Sequence, residues 1–288
     1  MKIHSPIPPG ERDKLLINDD FLFDSTCLFD HNYSAEEIKN KFKIIGSYVV
    51  HGDVGCRPWI FVYGGSTTSA IQGSLWSAYL HQELASRSID ACIFNGGCAS
   101  FNSWNELNKM TRDVPIFKPD IVISFGGIND YTVHVDKSNP YVNTRLLGEM
   151  QATGIFSGIS NPPSPHDHAD VFLTRAKCMH SICTTFGSKF IKIIQPTLGY
   201  GNYIYDESDP ADNIFSQMSK MKDDYHDVPG LVRFYDKVRN TIVSGEYSYI
   251  YDMTNLFDGK SRLFKDFRHP NQDGYALIAK AISNLLSL

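Results

Sequence analysis

The feature that most constrains this chain is a repeated alternation of two kinds of segment. Short apolar runs, each ending near Gly, Asn or Pro, are separated by longer stretches whose apolar residues recur at helical spacing. The runs are Phe42–Val50, Trp59–Tyr63, Ala91–Phe94, Ile121–Phe125, Phe190–Gln195 and Ser248–Tyr251. They are rich in β-branched and aromatic residues and read as buried strands. The intervening patterns predict helices over Ser69–Ala85, Ser103–Met110, Ala169–Thr185, Leu231–Val243 and Tyr275–Leu286. In the last of these, Tyr275, Leu277, Ile278, Ile282, Leu285 and Leu286 gather on one face. Strands alternating with amphipathic helices imply βαβ crossovers and a parallel sheet covered on both sides. The expected fold is therefore α/β, a three-layer α/β/α sandwich with a central, mainly parallel sheet.

Two regions fall outside this repeat. Residues 1–56 are irregular and read as an N-terminal extension packed on the core, with Ser34-Ala-Glu-Glu37 as a capping box before a short helix. Residues 57–288 form the main domain. Within it, residues 131–166 are an insertion carrying Pro140, Pro162, Pro163 and Pro165 among several glycines. A connection of that length reads as a lid or substrate wall, or as a surface insertion without a role.

Composition narrows the function classes. The chain has 288 residues, 42% hydrophobic and 20% charged, with a formal net charge of −5. That is an ordinary globular composition with no basic stripe, so nucleic acid is not an expected partner. The cluster Lys220–Lys222 is interleaved with Asp223 and Asp224 and reads as a solvated face. No stretch approaches a membrane span and the N-terminus lacks an apolar signal core, so the expected location is cytoplasmic. The six cysteines show no CxxC spacing and read as free thiols. His166-Asp-His168 has the residue types of a metal site, but two histidines in a Pro-rich loop read as solvated, and no metal or cofactor is expected.

Candidate chemistry gathers at segment ends. Trp59–Tyr63 leads into Gly64-Gly65-Ser66-Thr-Thr, a tight turn at the carboxyl edge of the expected sheet, where ligands bind in such folds. Ser66 reads either as a nucleophile whose N–H faces the site or as a helix N-cap. Ile121–Phe125 leads into Gly126-Gly127-Ile-Asn129-Asp130, where Asn129 reads either as an amide donor to developing negative charge or as a turn residue. Asp266-Phe-Arg-His269-Pro places a carboxylate three residues before a histidine, close enough to fix its tautomer.

Taken in order, these motifs resemble the four blocks of the SGNH (GDSL-type) hydrolases. Gly64-Gly-Ser66 resembles the first, Asn95-Gly-Gly97-Cys-Ala-Ser100-Phe-Asn-Ser103 the second, Gly127-Ile-Asn129-Asp130 the third and Asp266-Phe-Arg-His269-Pro the last. The resemblance spans roughly residues 57–287 and implies an SGNH-hydrolase (flavodoxin-like) sandwich and ester chemistry without metal or cofactor. It implies a catalytic triad of Ser66, His269 and Asp266, and an oxyanion hole from the Ser66 N–H, the Ser100 N–H and the Asn129 side chain. Gly97 is the fallback donor. The sequence departs from the pattern twice, with Gly65 where the family has Asp and Ser100 where it has Gly.

The implied function is a serine hydrolase that cleaves an ester, removing a short acyl group such as acetyl from a saccharide or small metabolite. An acyltransferase using the same acyl-enzyme is the alternative, and a non-catalytic binding module with Gly65 and Ser100 as marks of decay is a third. These residues carry no signal for oligomeric state.

Overall fold

The computed structural model describes residues 16–18, 21–24, 28–131, 135–136, 139–143, 167–213, 228–266, 268–286 and 288. A seven-stranded sheet lies at its centre. In chain order the small N-terminal strands are β1 (Leu16–Asn18), β2 (Phe21–Asp24) and β3 (Leu28–His31), which pair antiparallel. Helix α1 (Glu36–Lys41) follows, then β4 (Ile44–Ile45), β5 (Tyr48–His51) and β6 (Trp59–Gly64). Next come α2 (Trp76–Ser86), β7 (Cys92–Asn95), α3 (Ser103–Phe117) and β8 (Ile121–Gly126). A short antiparallel pair, β9 (Val135–Asp136) and β10 (Asn139–Asn143), lies in the 131–166 insertion, most of which is outside the described residues. The chain continues with α4 (His168–Thr185), β11 (Lys189–Ile194), α5 (Val228–Ile242), β12 (Ile250–Asp252) and α6 (Gln272–Leu285).

The sheet order is β12-β11-β8-β6-β7-β5-β4. β7, β6, β8, β11 and β12 run parallel, and the β4–β5 hairpin adds antiparallel to β7 at one edge. The first parallel strand, β6, is therefore followed by β7 on one side and by β8 on the other. That reversal opens a crevice beyond the carboxyl ends of these three strands, where open α/β sheets bind ligands.

Side chains on successive strand residues point to opposite faces, and the two faces build two cores. Phe61, Tyr63, Val122, Phe190 and Ile194 meet Met110 and Val114 of α3, Phe172 and Met179 of α4, and Phe234 and Val238 of α5. Ile60, Val62, Ile93, Ile123, Ile191 and Ile193 meet Trp76, Leu80 and Leu84 of α2 and Tyr275, Ile278 and Ile282 of α6. The layers are thus α/β/α, as the alternation of segments implies.

The structure differs from the sequence reading in four places. Phe42–Val50 is not one strand, because Gly46 at φ +60° turns the chain into the β4–β5 hairpin. The Ser34 capping box does not form; α1 begins after Ala35 with no side-chain cap, and the Ser34 hydroxyl donates to Asn32 instead. Helix α3 runs past Met110 through Pro115 to Phe117, its end set by left-handed Lys118, whose N–H reaches the Val114 carbonyl. Helix α2 begins at Trp76 rather than Ser69. Hydroxyls divert the intervening backbone: Ser74 Oγ donates to the Thr67 carbonyl, and Ser69 Oγ accepts from the Gln72 N–H. The Lys220–Lys222 region and His166 lie outside the described residues. Among the described residues, no helix is long and apolar enough to cross a membrane, and no cluster of potential metal ligands is present.

One edge of this fold is sensitive to acid. His51, on β5, is largely shielded from water with Nε2 3.2 Å from Ser77 Oγ; burial, then the neighbouring His81, lowers its pKa from 6.5 to about 4. A histidine held neutral in the fold but free to charge when unfolded stabilises the protein fully above pH 6.5. That contribution is lost as pH falls through about 4. The urea midpoint should therefore drop across this interval, and it should drop less in His51→Gln. Parallel pH profiles for the two proteins would contradict the assignment.

Candidate active site

The crevice at the β6, β7 and β8 ends gathers residues from four separate stretches of chain. Ser66 sits one residue beyond Gly65 after β6, in a turn in which the Thr68 and Ser69 N–H groups both donate to the Gly65 carbonyl. The turn is tight because neither glycine leaves room for a side chain. A Cβ at Gly64 would lie 2.3 Å from the Phe125 carbonyl oxygen, and one at Gly65 would lie 2.5 Å from Asn129 Nδ2. Ser66 is not a helix cap, since α2 starts ten residues further on. Its placement comes from this packing and from the local hydroxyl bonds, so the N-cap alternative of the sequence reading does not hold.

His269 is presented by a different device. The segment before α6 folds back as a bridge between Phe264 and Pro270, with the Lys265 N–H on the His269 carbonyl and the Asn271 N–H on Leu263. Asn271 then caps α6 by accepting from the Gly274 N–H at 3.0 Å. Within the bridge Asp266 makes an Asx-type turn, its Oδ1 accepting the Arg268 and His269 N–H groups, each at 2.8 Å. The same carboxylate lies 2.9 Å from His269 Nδ1 through both oxygens.

These contacts settle the proton positions. A carboxylate only accepts, so Nδ1 must donate to Asp266, and in the neutral ring Nε2 then carries the lone pair. Ser66 Oγ, 2.7 Å from Nε2, is left as the donor. Burial alone would push the Asp266 carboxyl up. The hydrogen bond and charge of His269, with the two backbone N–H groups, outweigh burial and hold it below the ordinary 3.8, so it is ionised at neutral pH. A serine hydroxyl, a base and an oriented carboxylate in this geometry can perform nucleophilic attack.

Asn129 lies in a 3-10 turn after β8, with its Nδ2 beside Gly65, the residue before Ser66. Its Nδ2 donates to the Phe101 carbonyl at 2.9 Å; that partner only accepts, which identifies the NH₂ end and leaves its second hydrogen for another acceptor. Ser100, in the loop after β7, has φ +64°. For a non-glycine residue this left-handed conformation costs on the order of 1–3 kcal/mol, so Ser100 takes the backbone shape of a glycine without its freedom. The fallback Gly97 is less suited as a donor, because its N–H is engaged by Asn95 Oδ1 at 2.9 Å.

The blocks are also tied to one another by hydrogen bonds and ion pairs that the sequence reading did not anticipate. Asn95 Nδ2 reaches the Thr68 carbonyl at 2.8 Å and Ser77 Oγ at 2.7 Å, joining the second block to the Ser66 turn. Thr67 Oγ1 donates to Gln195 Oε1 at 3.0 Å, which uses the Gln195-Pro-Thr segment after β11. Asp130 accepts the Ser103 N–H and hydroxyl at the start of α3 and has Arg175 at 3.6 Å, locking the Asn129 turn to two helices. Beneath Gly126, buried Lys192 donates to Ser124 at 2.7 Å and lies 3.4 Å from Glu106. His168 Nδ1 is 2.8 Å from the Asp130 carbonyl oxygen, so this histidine is spent within the same frame.

Residues 60–282 match the family described as GDSL-like lipase/acylhydrolase. No curated protein matches the chain at a significant level. Solved structures similar in chain course include a G-D-S-L family lipolytic protein from Desulfitobacterium hafniense, at 16% identity over 80% of this chain and 100% of that one, with a TM-score of 0.48. They also include a psychrotrophic esterase from Pseudoalteromonas, at 14% identity over 79% and 96% with a TM-score of 0.47. A third is an acetylxylan esterase from Geobacillus stearothermophilus, at 16% identity over 81% and 95% with a TM-score of 0.48.

The two departures from the family pattern should respond oppositely to substitution. Gly65→Ala or Gly65→Asp would displace the Asn129 amide from its place beside the Ser66 turn and is expected to lower ester turnover by about 10–100-fold. Ser100→Gly removes the left-handed strain and is expected to keep turnover within about threefold, with Tm unchanged or higher. Steady-state kinetics and thermal melts of the two variants check both expectations.

Proposed function

The chain belongs to the GDSL-like lipase/acylhydrolase family, and on that premise we propose that it is a serine hydrolase cleaving a carboxylic ester through an acyl-enzyme on Ser66. The observation that carries the reading is the continuous hydrogen-bonded line from Ser66 Oγ through His269 to Asp266, at 2.7 and 2.9 Å. In the proposed reaction Ser66 Oγ attacks the ester carbonyl carbon while His269 Nε2 takes the hydroxyl proton. Asp266 stabilises the imidazolium by accepting from Nδ1. The carbonyl oxygen, now an oxyanion, receives the Ser66 N–H, the Ser100 N–H and the free Asn129 N–H. His269 returns the proton to the leaving alcohol as the C–O bond breaks. Water then attacks the acyl-enzyme, giving its proton to His269; as the acyl–Oγ bond breaks, His269 passes that proton to Ser66 Oγ, regenerating the hydroxyl with release of the acid.

The proposed substrate is a short acyl ester of a saccharide or small metabolite. Support comes from the loop after β11, where Ile204 and Tyr205 stand exposed. That loop adjoins the segment leading to His269: Tyr203 OH accepts the Leu263 N–H at 2.9 Å, and Arg262 pairs with Asp206 at 2.6 Å. Exposed apolar and aromatic surface beside that segment suits the body of an amphipathic acyl carrier. The described cysteines are all free, which fits a reducing, cytoplasmic setting.

Triad variants assayed on p-nitrophenyl acetate test the reading. Ser66→Ala and His269→Ala should each lower kcat by at least ~10³-fold, and Asp266→Asn by ~10²–10⁴-fold, with folded far-UV spectra retained. Normal turnover in Ser66→Ala or His269→Ala would overturn it. Product analysis with added sugar or amine acceptors separates release of free acid, as proposed, from transfer of the acyl group.

A further inference from the structure

Three consecutive residues of the N-terminal strand β3 each reach the loop that carries Ser100. Phe29 packs edge-on against Phe101 at 5.4 Å between ring centroids. Asp30 pairs with Lys109 at 2.6 Å, and the same Lys109 Nζ donates to the Gly96 carbonyl at 3.1 Å and to the Ser47 carbonyl at 3.2 Å. His31 Nε2 lies 2.8 Å from Ser69 Oγ and 3.4 Å from the Ala99 nitrogen. Phe29, Asp30, His31, Lys109 and Ser69 are all buried.

The pattern around His31 is directional. An Ala99 N–H can only donate, so Nε2 is the unprotonated nitrogen and the neutral ring keeps its proton on Nδ1. Ser69 Oγ accepts from the Gln72 N–H at 3.3 Å and gives its own proton to Nε2. One imidazole nitrogen thus receives the turn that follows Ser66 and the residue that precedes Ser100. It ties together the two backbone segments whose N–H groups are to meet the same oxyanion. Ser100 sits at φ +64°, a conformation a serine does not hold by itself, so its N–H direction depends on what restrains the loop around it.

We propose that His31 is a positioning residue for the ester-cleaving reaction, holding the Ala99–Ser100 backbone against the Ser66 turn so that the Ser100 N–H meets the oxyanion. β3 thereby makes the N-terminal segment part of the active-site frame. This inference rests on the proposed serine-hydrolase reading and adds to it a residue outside the four blocks. His31 touches no reacting atom; it acts through the two segments it joins. Its effect therefore falls on transition-state stabilisation more than on substrate binding.

The test uses the full chain with p-nitrophenyl acetate, beside hydrogen-exchange mass spectrometry of the segment 96–103. His31→Ala removes the acceptor, and His31→Gln restores an amide oxygen near the position of Nε2. The expected result for His31→Ala is a kcat lower by about 10–100-fold with KM within about twofold, and faster exchange across 96–103. His31→Gln should recover most of both. If His31→Ala does not fold, His31→Asn, whose shorter amide cannot reach both partners, takes its place. Unchanged kcat and exchange in the acceptor-less variant would overturn the inference, as would a His31→Gln variant as impaired as His31→Ala. If the unmodified protein shows no Ser66-dependent turnover, the hydrolase reading fails by itself. In that case unchanged exchange in His31→Ala would still refute the positioning role, and faster exchange rescued by Gln would uphold its structural part.

Discussion

The hydrogen bond between Ser66 and His269 joins residues 203 positions apart, and most of the fold can be understood as what makes it possible. Ser66 is delivered by the middle strand of the sheet, and His269 by the last connection before α6. α6 packs with α2 on one face of the sheet through Tyr275, Ile278, Ile282, Trp76, Leu80 and Leu84. That packing brings the C-terminal segment over the carboxyl end of β6. Since hydrophobic burial is non-directional, it sets the approach only coarsely. The final placement comes from directional bonds: the Asx turn at Asp266, the Phe264–Pro270 bridge and the carboxylate on Nδ1.

A second constraint is crowding. Gly64 lets Thr68 and the Phe125 carbonyl close on the end of β6, and Gly65 lets the Asn129 amide approach the Ser66 turn. Gly65 is therefore better understood as fitting this particular site than as damage to it: a side chain there and Asn129 in its present place exclude each other. Ser100 is the opposite case, a residue with a Cβ that takes a glycine-like conformation. The two departures from the family pattern thus have different physical origins.

Much of this was legible in the sequence, for identifiable reasons. Parallel strands buried on both faces must be apolar throughout, so Trp59–Tyr63, Ile121–Phe125 and Phe190–Gln195 announced themselves, and the residues just beyond them marked the site edge. The pairing of Asp266 with His269 was readable because it is local. What stayed hidden depends on competition or distance. The start of α2 was misplaced because Ser69 and Ser74 divert the backbone with their hydroxyls, which a helical spacing of apolar residues does not reveal. The turn at Gly46 was masked by the apolar residues on either side of it. His31 had nothing in its neighbourhood to distinguish it from the other histidines. Its partners, Ser69 and Ala99, lie 38 and 68 residues away and become visible only when β3 is placed.

The central claim is that Ser66 is an activated nucleophile, and the most direct measurement is covalent labelling with a fluorophosphonate followed by intact mass and peptide mapping. This reagent needs the hydroxyl, its base and a site for the phosphoryl oxygen, but not the natural substrate. The expected result is one adduct per chain, mapped to Ser66 and absent from Ser66→Ala. No adduct under conditions that label a control esterase, or an adduct on a different serine, would contradict the account.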